Sequence, residues 1–315
     1  MENYTNYPEL FRDLKLKQES EILYFMHHAG KDHFIKDLEK LPCWKHAEKI
    51  YLVDCEAWNI MIDTSWMTNK KIHLFAPVIH DNPQVHVYQF WFHWMQEIET
   101  YLNFYLKLKN LQQKPFYFDA LLGTPRKHKK IIHKFINESP FRDKFLLSYY
   151  DTNYNYKHLV GSKIEDNQRM VYYHNKMNTN TSLVIPYLIY NQCWFSLVTE
   201  TFGEGPIFYT EKTGKPLLSK KLFVMFASQH HLKHLQEFGF QTFHGIIDER
   251  YDDIKDLESR YAQAWKQVEF LLEQDPVKIY KQAEPILEHN RNHFMSTDWQ
   301  KEMHDKIQYI SQRSK

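Results

Sequence analysis

The sequence predicts an α/β fold built on parallel sheets. Short, β-rich apolar runs recur along the chain, helical stretches stand between them, and LFVMFA (Leu222 to Ala227) is apolar throughout, as strands covered on both faces are. At 315 residues, 43% hydrophobic and 16% aromatic, the chain can bury a sizeable core and is long enough for two domains of ordinary size.

The first part supplies EILYFMHH (Glu21 to His28), KIYLVDCE (Lys49 to Glu56) and KIHLFAPVI (Lys71 to Ile79) as strands, with DHFIKDLEKL (Asp32 to Leu41) as a helix between the first two. Val87 to Asn110 reads as one long helix, with Ile98, Tyr101, Leu102, Tyr105 and Leu108 on one face, and LQQKP (Leu111 to Pro115) closes it. Pro115 to Ser139 then reads as strand, turn and helix. Gly123 and Pro125 punctuate the turn, and Ile131, Ile132 and Phe135 mark the buried side of the helix. Phe145 to Asn153 is another strand and turn. Tyr154 to Asn180 has little periodicity and is expected to be a long functional loop or an irregular insertion.

A short helix through Leu188 to Asn191 leads into the strand CWFSLVTE, which ends on Glu200. The next helix is expected over Glu211 to Lys221, capped by Thr210 or Thr213, with Pro216 in its first turn, where a missing N–H costs nothing. Asp252 and Asp253 lack metal-ligand spacing and are expected to serve a helix start. From Asp256 to Arg313 three segments show apolar positions at helical spacing, with no sustained heptad. The expected division is an α/β domain over residues 1–112, a second α/β domain over 113–275, and C-terminal helices over 276–315.

Composition excludes several function classes. Neither GxxxxGK[ST] nor GxGxxG occurs, and Gly is scarce at 8, so any phosphate contact must come from side chains and helix ends. The formal charge of +1 gives no overall field toward nucleic acid, though local patches remain open to it. Cys43, Cys55 and Cys193 are widely spaced, which fits a reducing compartment and gives no zinc pattern. No basic leader or long apolar stretch occurs, so a cytoplasmic protein without a membrane partner is expected.

Titratable groups concentrate in two places. Glu200, Glu204, Glu211, Lys212 and Lys215 crowd the loop and helix start before LFVMFA; by composition such a segment is usually solvated surface, and beside a helix start it also suits a phosphate or diphosphate. Arg126, Lys127, His128, Lys129, Lys130, His133 and Lys134 form the densest basic cluster. Its readings are a second phosphate site, a solvated helix face, or a nucleic-acid contact through Lys127, Lys130 and Lys134. At strand ends of the first part stand His27, His28 and Asp32, then Asp54 and Glu56, open to a catalytic base role or to capping and core hydrogen bonds.

FYTEKTGKPLLSKKLFVMFAS followed by LQEFGFQTF resembles the donor-binding part of GT-B-type glycosyltransferases, in particular the phage, giant-virus and bacterial group with Thr-Glu-Lys, a helix, an apolar strand and a Gly-Phe-x-Thr-Phe turn. The fucosyltransferase family is a more distant likeness. The resemblance covers residues 115 to 255 and extends to Gly-x-x-Arg-x-His-Arg, matched here at Gly123, Arg126 and His128, with Lys129 where Arg is usual. It implies two Rossmann-like domains facing across a cleft, with C-terminal helices returning to the first. It also implies a nucleotide-sugar donor, UDP-linked in preference to GDP-linked, and chemistry that requires no metal. Arg126 and Lys212 would neutralise the diphosphate, with His128 and Lys129 beside them, Glu211 would accept from the ribose, Lys215 would assist, and Glu200 would hold a lysine or a sugar hydroxyl. Glu56, by position alone, would be the base. Richness in Lys, Asn, Tyr and Phe resembles proteins of AT-rich phages, whose related enzymes glycosylate hydroxymethylated cytosine. That implies double-stranded DNA as partner, host cytoplasm as location, and Trp58, Trp66, Trp91 and Trp94 as stacking candidates or plain core. A cell-surface glycan or protein acceptor, or a non-catalytic binding protein of this fold, are the alternatives.

Overall fold

Most of the apolar runs pair into two five-stranded, largely parallel sheets, one in each of two units. The computed structural model describes residues 4–5, 21–26, 38–41, 43–54, 71–76, 78–79, 85–89, 114–123, 126–150, 156–160 and 187–313. One unit comprises Met1–Met95 with Asp298–Lys315, and the other Gln96–Thr297. The chain is α/β, as its alternating runs predict.

In the first unit β1 (Tyr4–Thr5), β2 (Glu21–Met26), β3 (Lys49–Asp54), β4 (Lys71–Ala76) and β5 (Val85–Gln89) lie side by side in chain order, every neighbour parallel. β5 corrects the sequence reading, which starts a helix at Val87. Pairing with β4, from Ile72↔Val85 to Ala76↔Gln89, holds this stretch extended, and the helical spacing begins only at Ile98. The rest of that expected helix, with Trp91 and Trp94, lies outside the described residues, as do Trp58 and Trp66.

Register puts Leu23, Tyr51, Val53 and Phe75 on one face, where the C-terminal helix (Trp299–Arg313) covers them with Met303, Ile307 and Ile310. A buried polar knot joins helix to sheet. The Glu21 carboxylate accepts from Lys49 Nζ at 3.1 Å, Tyr51 Oη at 3.0 Å and Ser311 Oγ at 2.7 Å. Ser311→Ala would remove the helix's share of that knot. It is expected to cost about 1–3 kcal/mol, the range for a hydrogen bond to a charged group, read as a lower urea midpoint.

In the second unit the sheet contains β6 (Phe116–Gly123), β7 (Phe145–Tyr150), β8 (Tyr156–Val160), β9 (Cys193–Thr199) and β10 (Leu222–Phe226), in the spatial order β10-β9-β6-β7-β8. Counted along the chain within this unit and read from β8, the order is 3-2-1-4-5, that of a Rossmann-like sheet. All pairs are parallel except β7 with β8. β8 lies inside the stretch expected to be loop; pairing across a sheet edge is not visible in local periodicity. The described helices are α1 (Lys127–Glu138), α2 (Tyr187–Tyr190), α3 (Glu211–Leu218), α4 (His231–Glu237), α5 (Leu257–Leu272) and α6 (Pro276–Ser296). Asp256 caps α5 by accepting from Ser259 N, and Asp275 caps α6, with Pro276 in the first turn. Pro216 is instead in the second turn of α3, where it cannot donate to the carbonyl of Lys212. No described helix is long and apolar enough to cross a membrane.

Candidate functional site

The 3-2-1-4-5 order reverses between β6 and β9. In open α/β sheets a crevice forms outside the carboxyl ends of the strands at such a reversal. β6 ends at Gly123, whose φ of +61° is a conformation that favours glycine. Arg126 follows as the extended N-cap of α1, which has no side-chain cap and no acidic residue in its first turn. The positive end of that helix therefore carries Arg126 on it and no acidic residue in its own first turn.

β9 leaves its sheet through Glu200, and this buried carboxylate shapes the neighbouring turn. Its Oε1 accepts from Thr210 N at 3.1 Å and Thr213 Oγ1 at 2.6 Å; its Oε2 accepts from Thr201 N at 3.1 Å and Thr210 Oγ1 at 2.7 Å. Both oxygens are thereby used within the protein. Of the two cap residues the sequence leaves open, Thr210 is the one whose side chain accepts from an α3 amide, Lys212 N at 3.2 Å. Thr213 is turned to Glu200 instead. The Thr-Glu-Lys segment is therefore a helix start clamped to the end of β9.

Cations converge on this clamp. Arg126 Nη1 donates to the Thr201 carbonyl at 2.7 Å. Lys212 Nζ donates to Thr201 Oγ1 at 3.3 Å and lies 3.1 Å from Glu211 Oε1. Burial works against the Lys212 ammonium, but Glu211 and Glu200 outweigh it and raise its pKa. Lys129, in the first turn of α1, is only 5% exposed. A Cβ on Gly123 would lie 3.8 Å from its Nζ, which places that ammonium over the end of β6. Burial first, then Lys212 and Arg126, lower Lys129 to about 7.

His128 stands inward of these groups. Its Nε2–H donates to the Glu200 carbonyl at 3.0 Å, which sets the tautomer, and burial holds its pKa near about 4. It is a neutral strut between α1 and the end of β9. The sequence groups it with the diphosphate contacts, and here it acts on the backbone that carries them.

Several residues of the site escape sequence reading. Gly203 passes so near α1 that a Cβ there would sit 2.7 Å from His128 Cβ and 2.8 Å from Tyr261 Oη. Arg260, buried on α5, donates from Nη2 to the Gly203 carbonyl at 2.5 Å, from Nε to Ala227 O at 3.1 Å and from Nη1 to Ile254 O at 2.6 Å. One guanidinium thus pins the loops leaving β9 and β10. Only Gly203's place between two Gly-poor segments hints at a close approach; Arg260 leaves no signal in the sequence.

No family model, curated protein or solved structure matches the chain.

The remaining expectations divide by place. Lys215 is half-buried in the last turn of α3. Glu56, His27, His28 and Asp32 lie outside the described residues. Asp252 does serve a helix start: its Oδ2 accepts from Lys233 N at 3.1 Å, in the first turn of α4 rather than in its own segment. Among the described residues no group of three or more His, Cys, Asp or Glu could hold a metal ion. What the arrangement offers chemically is concentrated positive charge, two helix N-termini and buried hydroxyls at the carboxyl end of a parallel sheet, which suits a phosphate-bearing ligand.

Proposed function

We propose that this chain is a nucleotide-sugar-dependent glycosyltransferase of the GT-B type, with the donor's diphosphate held by Arg126, Lys129 and Lys212. The observation that carries the reading is their convergence, from the heads of α1 and α3, at the reversal point between β6 and β9. In the transfer, an acceptor hydroxyl oxygen bonds to the anomeric carbon as the bond from that carbon to the diphosphate oxygen breaks. The hydroxyl proton goes to a base, and the diphosphate leaves with an added negative charge. Arg126 and Lys212 meet that charge as it develops, and the start of α3 adds its dipole. Glu211, beside Lys212 at the first position of α3, is assigned to the ribose hydroxyls, with Lys215 assisting. Glu56 is assigned as the base. These last roles rest on the sequence resemblance.

A UDP-linked sugar is the donor we favour, and 5-hydroxymethylcytosine in phage DNA the acceptor. The exposed row Lys127, Lys130 and Lys134 supports a polyanionic acceptor: it follows helical spacing along α1, whose first turn also carries Lys129. Nucleosides from hydroxymethylcytosine-containing DNA, incubated with the protein and a mixture of nucleotide sugars, are expected to show a pentose or hexose mass on the modified base. Release of nucleoside diphosphate without that adduct would keep the transferase and discard DNA for a glycan, protein or water acceptor. Absence of both release and donor binding would leave a non-catalytic protein and overturn the reading.

A further inference from the structure

We propose that Lys129 takes up a proton when an oxyanion occupies the reversal-point site, so that the site acquires part of its positive charge only on binding. The inference rests on the diphosphate reading above and specifies how that site is charged.

Lys129 and Lys221 are both buried lysines, and their surroundings differ. Lys221 Nζ lies 3.3 Å from Asp119 Oδ2 and donates to the carbonyls of Tyr190 at 3.1 Å and Cys193 at 2.6 Å. Lys129 Nζ makes no hydrogen bond or ion pair to any described residue. The charged groups facing it come from every side of the site. Arg126 stands at the head of its own helix, Lys212 and Glu211 on α3, Glu200 at the end of β9, and His128 next to it in sequence. The negative members raise its pKa but neither is bonded to it. Glu200 is saturated by Thr201, Thr210 and Thr213, and Glu211 lies against Lys212. His128 is neutral. Burial first, and then Lys212 and Arg126, outweigh the opposing pull of Glu200 and Glu211, and the resulting pKa of about 7 leaves Lys129 about half protonated at neutral pH. A dianion among the three reverses the balance of charge around Lys129, and the missing fraction of a proton comes from solvent.

Sulfate is a suitable probe, because it stays fully ionised through the neutral range and any proton taken up belongs to the protein. Titrated into the full chain near about pH 7 in buffers of different ionisation enthalpy, sulfate is expected to bind saturably with uptake of about half a proton. Uptake should disappear in Lys129→Met, with weaker binding retained. Saturable binding that Arg126→Ala weakens, but with no proton uptake or with uptake persisting in Lys129→Met, would overturn this inference and leave the anion site standing. No saturable sulfate binding would remove the anion site and this inference with it.

A stability measurement separates folding from binding. The folded pKa of Lys129 lies below its ordinary value of 10.5, so the unfolded chain binds more protons between the two values. The penalty of burying the charge is full below about pH 7 and fades as pH rises toward the unfolded value. Lys129→Met is therefore expected to melt higher than the parent protein, most so at low pH. A variant that melts lower at low pH would show Lys129 already paired in the empty site and overturn the proposal.

Discussion

Glu200→Ala is expected to destabilise the second unit by about 3–5 kcal/mol, the scale of a buried charge network broken from one side. Glu200 is 1% exposed, and its two oxygens accept from Thr201 N, Thr210 N, Thr210 Oγ1 and Thr213 Oγ1. The threonine hydroxyls can rotate toward other acceptors. The two backbone N–H groups cannot, and each buried donor left without a partner costs about 1–3 kcal/mol. Arg126, Lys129 and Lys212 would also lose a negative charge from their midst. Glu200→Gln keeps the shape but can accept at only one atom, so it should fall between parent and alanine variant. Urea denaturation followed by tryptophan fluorescence measures both. An alanine variant within about 1 kcal/mol of the parent would show that the clamp adds little to stability.

The clamp was invisible in the sequence because it depends on register. β9 and β10 pair so that Thr199 faces Phe226, and this fixes where Glu200 emerges relative to the helix that precedes β10. Periodicity locates the strands, not their offset. The same limit hid Arg260, whose bond to Gly203 spans 57 residues, and β5, whose pairing with β4 takes in the first residues of the expected helix. Where burial follows the chain's own period, reading was reliable. LFVMFA is a strand buried along its length, and the three C-terminal segments are helices, the last of them packed on the first sheet.

The basic cluster of α1 lies between these cases, because its partition was legible and was not read. Lys129, Ile132 and Ile136 fall at i, i+3 and i+7, and all are buried; Lys127, Lys130 and Lys134 fall on the opposite phase, and all are exposed. Counting the phase from Ile132 separates the one lysine that turns inward from the row that faces solvent. Composition alone groups them as a single patch. Gly123 was similarly legible as punctuation, while its positive φ, which turns the chain toward Arg126, required the structure.

Arg126→Ala is expected to lower turnover of the proposed reaction by about a thousandfold, within the range for removing a donor that stabilises developing negative charge. Arg126 differs from the other cations in permanence. Lys129 titrates near neutrality and Lys212 is held by Glu211, whereas a guanidinium stays charged at any working pH. It also has a structural task, since Nη1 holds the Thr201 carbonyl at 2.7 Å, and a loss of activity could arise from a displaced loop. Two comparisons separate these causes. If the guanidinium meets charge that develops on the leaving diphosphate, kcat should fall far more than donor affinity, and stability should change by about 1 kcal/mol or less. Arg126→Lys should recover part of the rate, because a point charge returns without the fork that grips two oxygens at once. A displaced loop predicts the opposite pattern: lost stability, weakened donor binding, and no recovery by lysine. An Arg126→Ala variant with near-normal turnover would remove the diphosphate from this end of the sheet, because Arg126 is the arginine that the described residues place at the head of α1.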